Sequence, residues 1–362
     1  MALNKEFQYF LKNVSRALHG VRTMDEVHFE SLQPMARKQA LDGLTYDIPG
    51  IVMPRDNASR LKCIGNLMAI EKHNRWMDAQ VAELARRLDG QGIRYAVMKG
   101  QTCAAFWPQP AHRMPGDIDV YVVPGQFERA NGLLVEWGAK LVDKTMLHST
   151  YRLGKLEVEL HFAVQKLQYP PYYRRLKRIT AIEFDGSGSD VRQTIGGYDV
   201  SVLPDVLNVV LLTTHAFNHV ITGGLGLRQV IDWQMVLAAK AEVLDWDRLM
   251  HYLDMLHLRR MFLVLAHVNV RFLGMDGGVF SSHGLDINTD GVRRMSEQLM
   301  SWIEVCGNFG HSMDLGSGRE YQFRYYGLFF LNLMRFFRLS PMEMLVWPWM
   351  KAYRAVTHTN HL

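Results

Sequence analysis

The chain has 362 residues, of which 48% are hydrophobic and 21% charged, a composition that excludes a disordered protein and predicts a folded one with an ample core. The length predicts two or three domains, and the net charge of +5 suits an anionic ligand without requiring one. The three cysteines lack CxxC spacing, the N-terminus lacks a signal-peptide pattern, and no apolar run reaches about 18 residues. We therefore expect a cytoplasmic protein without a transmembrane helix.

The first 92 residues are predicted to be helical. Apolar residues at helical spacing place helices at 7–18, 33–42 and 57–88. Pro34 falls in the first turn of the second helix, a loop is expected at 49–56, and Asn57 or Ser59 is expected to cap the third helix. The apolar stripe of that third helix, which we expect to face the core, is Leu61, Ile64, Leu67, Met68, Met77, Val81, Leu84 and Leu88.

The middle of the chain, residues 93–203, changes to strand-like alternation. The predicted strands are 93–98, 118–123, 139–143, 147–153, 156–162 and 191–202. A helix is expected at 125–137, and Gly154-Lys155 is expected to form a hairpin turn between two of the strands.

The remainder of the chain returns to helical periodicity. The predicted helices are 205–221, 228–240, 246–257, 259–273, 292–305, 320–338 and 341–356, with loops at 275–290 and 307–318. Together the elements predict an α+β fold. In this fold a small mixed β-sheet core at 93–203 is flanked by a helical N-terminal region, 1–92, and a C-terminal helical bundle, 204–362.

Two aspartates, Asp117 and Asp119, stand at the start of the apolar strand 118–123. Successive strand side chains point to opposite faces, so both carboxylates lie on one face while Ile118 and Val120 point into a core. Adjacent carboxylates repel each other unless a cation lies between them, and this pattern is typical of a divalent-metal site. The alternative for an isolated Asp-x-Asp motif is a solvated strand end.

A later strand offers a third carboxylate. Glu157, Glu159 and His161 share one of its faces. A glutamate from a strand beside the aspartates would complete a site for two Mg²⁺ ions about 3.5–4 Å apart, with Mn²⁺ as a substitute, of the kind used in phosphoryl chemistry. Both glutamates are candidates for this role, and His161 either orients the site or an acceptor, or is a buried structural residue.

Lys99-Gly100 ends the strand 93–98 and precedes a short helical segment. Glycine allows close approach of the backbone, and free N–H groups at a helix start can bind a phosphate, with Lys99 as an adjacent cation. The alternative is a plain strand-to-helix turn with Lys99 in solvent.

These residues carry a resemblance. Gly100, the segment GDIDVYV at 116–122 and VELHF at 158–162 resemble the nucleotidyltransferase superfamily of the polymerase-beta-like fold. A bacterial family of uncharacterised nucleotidyltransferase-like proteins is similar over roughly residues 60–260. The similarity lies in the order of short motifs along the chain, which is KG, P, R, GDID, ELH and then H, H, GLRQ, DW. Members are often encoded near polysaccharide or capsule gene clusters.

The resemblance implies roles for individual residues. Asp117 and Asp119 match the metal pair, and Glu159 matches the third carboxylate, because the family places this acid two residues before a histidine equivalent to His161. These three residues are the expected catalytic and metal-binding residues. Expected substrate-binding residues are Lys99, Gly100, Gln101, Arg113, Gly116, His161 and Arg228. The turn reads Lys-Gly-Gln here, where the superfamily has Gly-Gly or Gly-Ser, so Lys99 and Arg113 are expected to supply charge for the phosphates.

A second constellation lies at 215–233. His215 and His219 are four residues apart on a predicted helix, which resembles half a zinc site, but no further ligand lies at useful spacing. Arg228 and Asp232 have the same spacing and form either a surface ion pair, or a pair in which Arg228 faces the cleft and binds nucleotide or acceptor.

The stretch 319–362 is aromatic and basic. A packed pair of bundle helices is the favoured interpretation, and an amphipathic element on a membrane surface is the alternative. No RNA-binding signature accompanies it, so we do not expect nucleic acid as a partner.

The residues and the resemblance together predict a Mg²⁺-dependent nucleotidyltransferase. It would transfer an NMP from an NTP, with ATP as the first candidate, to a hydroxyl acceptor on a saccharide or a protein, and release pyrophosphate. The altered turn motivates an alternative, a weakly active or inactive binding or scaffold protein at a membrane surface.

Overall fold

The computed structural model describes residues 3–145, 147–186, 190–308 and 318–357, and side chains are not described at 318–325 and 354–357. The helices are α1 Lys5–His19, α2 Phe29–Gln39, α3 Asn57–Gly90, α4 Gly100–Ala104, α5 Phe127–Glu136, α6 Pro170–Thr180, α7 Asp205–Thr222, α8 Leu227–Lys240, α9 Trp246–Met255, α10 Arg259–Leu273, α11 Gly278–Ser281, α12 Asp290–Cys306, α13 Gly318–Arg335 and α14 Pro341–Thr357. The strands are β1 Val27–His28, β2 Ile51–Val52, β3 Tyr95–Met98, β4 Ile118–Val122, β5 Lys140–Lys144, β6 His148–Leu153, β7 Leu156–His161, β8 Arg192–Ile195 and β9 Tyr198–Ser201.

The central sheet has five strands in the order β3-β4-β7-β6-β5. β4 and β7 are parallel, and the other neighbouring pairs are antiparallel. The predicted α+β class with a small mixed sheet is confirmed, and so is the Gly154-Lys155 hairpin turn, across which Leu153 pairs with Leu156.

Two cores lie on opposite faces of this sheet. One contains Val97, Val120 and Leu160, which pack with α3 and α5. The other contains Met98 and Tyr121, which pack with α1, α2 and the helices from α6 onward. Because strand side chains alternate, β3 and β4 contribute to both cores, and polar residues of β4 that share the Tyr121 face are turned towards the C-terminal helices.

The helices from Asp205 onward match the sequence prediction to within a few residues at each end. The predicted loop 275–290 also contains the four-residue helix α11, and most of the predicted loop 307–318 lies outside the described residues. No helix within the described ranges has the length and hydropathy needed to cross a membrane.

Several N-terminal predictions were wrong. The second helix begins at Phe29 and contains Pro34 in its interior, because burial of Phe29 and Leu32 fixes an earlier start. The cap of α3 is Asp56, whose side chain accepts from the Ser59 N–H at 2.8 Å. The predicted loop 49–56 contains β2, which pairs with β1.

Two further predictions failed on burial and on turns. Leu61, Ile64 and Met68 of α3 are exposed, so only the C-terminal half of its apolar stripe is in the core. The single strand predicted at 191–202 is the hairpin β8-β9, since Gly196 and Gly197 both adopt positive φ, as a two-residue hairpin turn requires. The segment 163–190, which received no predicted element, contains α6.

Candidate active site

Three carboxylates converge at the ends of two parallel strands. Asp119 of β4 stands opposite Glu159 of β7 in the strand register, while Ile118 and Val120 are buried on the other face. Oxygen atoms of Asp117, Asp119 and Glu159 all lie within 4.8 Å of one another. Glu157, two residues earlier on β7, instead pairs with Arg152 at 2.9 Å in an exposed position. The geometry therefore favours Glu159 over Glu157 as the third carboxylate.

Two cationic groups contact the same oxygen of Asp119. Lys99 Nζ lies 2.7 Å and His161 Nε2 lies 2.8 Å from Asp119 Oδ1, and His161 Nε2 is also 3.2 Å from Glu159 Oε2. Burial alone would raise the pKa of Asp119, but Lys99 and His161 hold it well below its usual range. Burial opposes protonation of His161, yet its bonds to the two carboxylates raise its pKa. Asp119 is therefore an ionised carboxylate whose charge the protein itself balances.

Asp117 has a different environment although it is only two residues away. It is exposed at the edge of the cleft, and the Asp119 charge is the main cause that raises the pKa of Asp117 to about 6. A cation bound between the two carboxylates would relieve this repulsion. The pair thus has an electrostatic demand for positive charge that Lys99 meets only in part.

The turn after β3 places Lys99 by an unusual backbone conformation. Lys99 has φ of +54° and Gly100 has φ of +46°, both in the left-handed region that glycine tolerates best. This turn directs the Lys99 side chain onto Asp119. The side chain of Gln101 is directed away from the cleft, because it donates to Asp78 Oδ1 at 2.5 Å and to Asn74 Oδ1 at 3.4 Å on α3. A contact of the Gln101 side chain with substrate therefore has no support from its position.

The loop before β4 is tied to α8 by a buried ion pair. Arg113 donates from Nε and Nη2 to the two oxygens of Asp232, both at 2.7 Å, and Trp107 Nε1 donates to the same carboxylate at 2.9 Å. The carboxylate that the sequence analysis paired with Arg228 therefore binds Arg113. Arg228 donates to the Met114 carbonyl at 3.0 Å.

Arg228 lies near the start of α8 and faces the cleft. The turn before it favours glycine, because a Cβ on Gly226 would stand 2.9 Å from the backbone Cα of Asn308. Burial, followed by the nearby Arg113 charge, lowers the pKa of Arg228 to about 10. An anion in the cleft would reduce the electrostatic cost of holding this guanidinium there.

These residues surround a cleft of about 240 Å³ between the sheet and helices α7 and α8. Of the predicted site residues, those that line the cleft are Lys99, Gly100, Arg113, Gly116, Asp117, Asp119, Glu159 and Arg228. His161 is almost fully buried behind the carboxylates, where it positions Asp119 and Glu159.

His215 and His219 of α7 also line the cleft, with ring centroids 4.3 Å apart. Burial, followed by the Lys99 charge, lowers the pKa of His215 well below its usual value and that of His219 to about 4. Both rings are therefore neutral at physiological pH. Neither belongs to a group of three metal-binding side chains among the described residues.

One residue close to the carboxylates was missed by sequence reasoning. His148 of β6 pairs with His161 of β7 in the strand register, and its Nε2 lies 3.5 Å from Glu159 Oε1. The signal was present, because a two-residue turn at Gly154-Lys155 fixes which residues of the hairpin face each other.

Comparison of the sequence with family models identifies the family of the chain. Residues 25–274, more than half of the chain, match the sequence model of a family described as uncharacterised nucleotidyltransferase. The chain belongs to this family. No curated protein matches it. Among solved structures, an antigenic nucleotidyltransferase-like protein from Paracoccidioides brasiliensis is similar over 56% of this chain and 96% of its own, with 17% identity and a TM-score of 0.32.

Membership confirms the resemblance found in the sequence. A family of nucleotidyltransferases indicates, in general terms, a transferase whose substrate is a nucleoside triphosphate. It leaves the acceptor and the metal to be argued from the site.

Proposed function

We propose that the protein is a metal-dependent nucleotidyltransferase that transfers an NMP from an NTP, ATP being the first candidate, to a hydroxyl acceptor and releases pyrophosphate. The observation that carries this proposal is the convergence of Asp117, Asp119 and Glu159 within 4.8 Å on two parallel strands that face a cleft. Three oxygen donors at one point are costly without a cation and are typical of sites for phosphoryl chemistry.

The donor set fits Mg²⁺, which prefers carboxylate oxygens and takes further ligands from water and phosphate. Asp117, Asp119 and Glu159 would hold one Mg²⁺ ion or two, and Mn²⁺ could substitute for Mg²⁺. Bound Mg²⁺ would supply Lewis-acid polarisation of the phosphate oxygens.

The chain's own residues divide the remaining tasks. Arg228 and Lys99 both line the cleft and are proposed to bind phosphate oxygens, with the Gly100 and Gly116 backbone leaving room beside them. Arg113 is held by Asp232, so we assign it the role of fixing the loop before β4. Glu159 is proposed to accept the proton of the attacking hydroxyl, and His161 keeps its carboxylate oriented.

Calorimetry with Mg²⁺ and each NTP tests this proposal. Wild-type protein is expected to bind at least one Mg²⁺–NTP complex, and Asp119→Asn should weaken binding by about tenfold or more, since it removes a charged ligand. Glu157→Gln is the matched control, because Glu157 is on the same strand but pairs with Arg152 outside the site. Absence of binding by the wild type, or equal loss in both variants, would contradict the proposal.

The acceptor is proposed to be a saccharide or a protein hydroxyl. Incubation with ATP and Mg²⁺ followed by mass spectrometry of the whole chain distinguishes the two cases. An added nucleotide mass on the protein indicates a side-chain acceptor, including self-modification, whereas an unmodified chain with pyrophosphate release only in the presence of added saccharides indicates a carbohydrate acceptor.

We propose a reducing, cytoplasmic location, which the cysteines support. Cys63, Cys103 and Cys306 are all free and buried. Cell fractionation tests it, and recovery in an oxidising compartment would contradict it.

A second candidate function is association with a membrane surface. It is favoured by large apolar side chains of α13 and α14 that are exposed, namely Phe330, Leu331, Met334, Leu345 and Trp349. Arg335 and Arg338 are exposed on or next to the same two helices, so an anionic bilayer is the matching surface. Co-sedimentation with anionic vesicles should be lost in Trp349→Ser and retained in Met24→Ser, an exposed apolar control far along the chain.

A further inference from the structure

A second group of metal-binding side chains lies behind the carboxylate cluster. His148, Glu159 and His161 each offer one donor atom, and these atoms all lie within 4.8 Å of one another. His148 faces His161 across the β6-β7 hairpin, and Glu159 is the next residue on the same face of β7. The hairpin therefore brings two imidazoles and one carboxylate together on a rigid element.

The spacing of the donors suits one ion. His161 Nε2 lies 3.2 Å from one oxygen of Glu159, and His148 Nε2 lies 3.5 Å from the other. With metal–ligand bonds of about 2.0–2.1 Å, neighbouring donors of a tetrahedral ion stand about 3.3 Å apart. Each imidazole nitrogen is close to that distance from one of the two Glu159 oxygens, so an ion bound through a single oxygen requires rotation of the carboxylate.

The contact of His148 Nε2 with Glu159 is weak. At 3.5 Å it is long for a hydrogen bond. Glu159 in turn is shared between two imidazole nitrogens and the aspartate pair. A cation at this point would give Nε2 of His148 a strong ligand bond in place of a weak contact.

The donor set differs in kind from the all-oxygen set of Asp117, Asp119 and Glu159. Two histidines with one carboxylate are typical of zinc, iron and related ions, because imidazole nitrogen is a better ligand for these than for Mg²⁺. We propose that His148, Glu159 and His161 form a binding site for a divalent transition-metal ion, which shares Glu159 with the proposed Mg²⁺ site. The inference goes beyond nucleotide transfer and does not depend on it.

Occupation of this site has a consequence for the hydrogen bonds. His161 Nε2 lies 2.8 Å from Asp119 Oδ1, and because that carboxylate is ionised the proton of this bond is on Nε2. Coordination uses the Nε2 lone pair, so this proton must move to Nδ1 or to solvent, and the bond to Asp119 is lost. The transition-metal site is therefore coupled to the state of the carboxylate that the Mg²⁺ site needs.

Titration of the full-length protein with Co²⁺, followed by visible absorption and calorimetry, tests the proposal. Wild type is expected to bind Co²⁺ with an absorption spectrum typical of nitrogen ligands. His148→Gln should weaken Co²⁺ binding by about tenfold or more and change the spectrum, since it removes one nitrogen ligand. His73→Gln, at an exposed histidine of α3, is the matched control and should bind as wild type does.

Equal affinity and an equal spectrum in His148→Gln and wild type would overturn the proposal. His161→Gln is a less suitable variant, because His161 is buried and also bonded to Asp119. Binding of Mg²⁺–NTP measured on the same samples separates the two proposals. Loss of the Co²⁺ response with retained nucleotide binding in His148→Gln supports a distinct site, whereas failure of nucleotide binding in wild type affects only the proposed reaction.

Discussion

At the scale of single residues, Lys99 occupies the position next to Asp119 where a metal ion would act. Its ammonium is 2.7 Å from Asp119 Oδ1, and both side chains are largely buried. We predict that Lys99→Met tightens Mg²⁺ binding in the absence of nucleotide by about tenfold or more, because a competing charge is removed from a site of low effective dielectric. The same variant should weaken NTP binding, because a cation beside the phosphates is lost.

Calorimetric titration with Mg²⁺ alone measures the first effect. Lys155→Met, in the exposed hairpin turn, is the control and should leave Mg²⁺ affinity unchanged. An unchanged or weaker Mg²⁺ affinity in Lys99→Met would show that Lys99 does not compete for this carboxylate.

His112 gives a prediction on pH dependence away from the site. Its Nδ1 lies 2.6 Å from Asp47 Oδ1 and its Nε2 lies 3.3 Å from Glu71 Oε1, so the imidazole joins the turn at Gly43–Asp47 to α3. The hydrogen bond to Asp47 is the main cause that raises the pKa of His112, against an opposing effect of burial. A raised pKa in the folded state means that the stabilisation is fully present below the unfolded value of about 6.5 and is lost as pH rises through the folded value.

We therefore predict that His112→Gln removes part of the loss of stability between about pH 6 and about pH 9. Urea unfolding at both pH values measures the free energy of unfolding. His73→Gln should show the same pH dependence as wild type. If His112→Gln also matched wild type, the Asp47 contact would not be an ion pair in solution.

The predictability of the site differs from residue to residue. Asp117, Asp119 and Glu159 were identified because strand alternation and the family pattern act over short distances in sequence. The pairing of Arg113 with Asp232 was not predicted, because it joins a loop to a helix more than a hundred residues later in the chain. His148 was within reach of the sequence, since the two-residue turn sets its partner on β7, but only its strand was predicted.

At the scale of elements, a buried ion pair joins the loop before β4 to helix α8. Arg113 and Asp232 are each only 4% exposed, so removing one partner leaves the other as an unpaired buried charge. We predict that Arg113→Met costs about 3–5 kcal/mol of stability. The double variant Arg113→Met with Asp232→Leu should cost clearly less than the two single changes added together.

A double-mutant cycle by urea unfolding measures this coupling. The exposed pair Arg152–Glu157 is the matched control, and its coupling should not exceed about 1 kcal/mol. Additive single effects at Arg113 and Asp232 would contradict a buried ion pair between these elements.

Elements were predicted well where periodicity alone determines them and poorly where tertiary contacts do. The C-terminal helices are long and strongly periodic, and their prediction is confirmed. The early start of α2 depends on burial of Phe29. The first half of α3 is exposed although its apolar residues keep helical spacing, because burial depends on contacts with distant parts of the chain that no local pattern contains. The β8-β9 hairpin was missed although the sequence contains its signal, a Gly196-Gly197 pair between two alternating runs.

At the scale of the whole molecule, the division into 1–92, 93–203 and 204–362 remains a proposal about sequence segments, and the two cores cut across it. One core joins Phe7 of the first segment, Met98 of the second and Leu207 of the third. The other joins α3 of the first segment to the opposite face of the sheet. The cleft itself lies between the sheet and helices of the third segment, so the site requires both.

Because β3 and β4 belong to both cores, we predict that the described parts of the three segments unfold as one cooperative unit. Leu207→Ala, at a fully buried position of α7, should cost about 2–5 kcal/mol. In a cooperative unit that loss reaches the second core as well, so amide hydrogen exchange should accelerate in α5 and β7 although neither contains the substitution. Acceleration confined to the helices after Pro204, with α5 and β7 unchanged, would show that the third segment unfolds independently and that the cleft lies between two separable bodies.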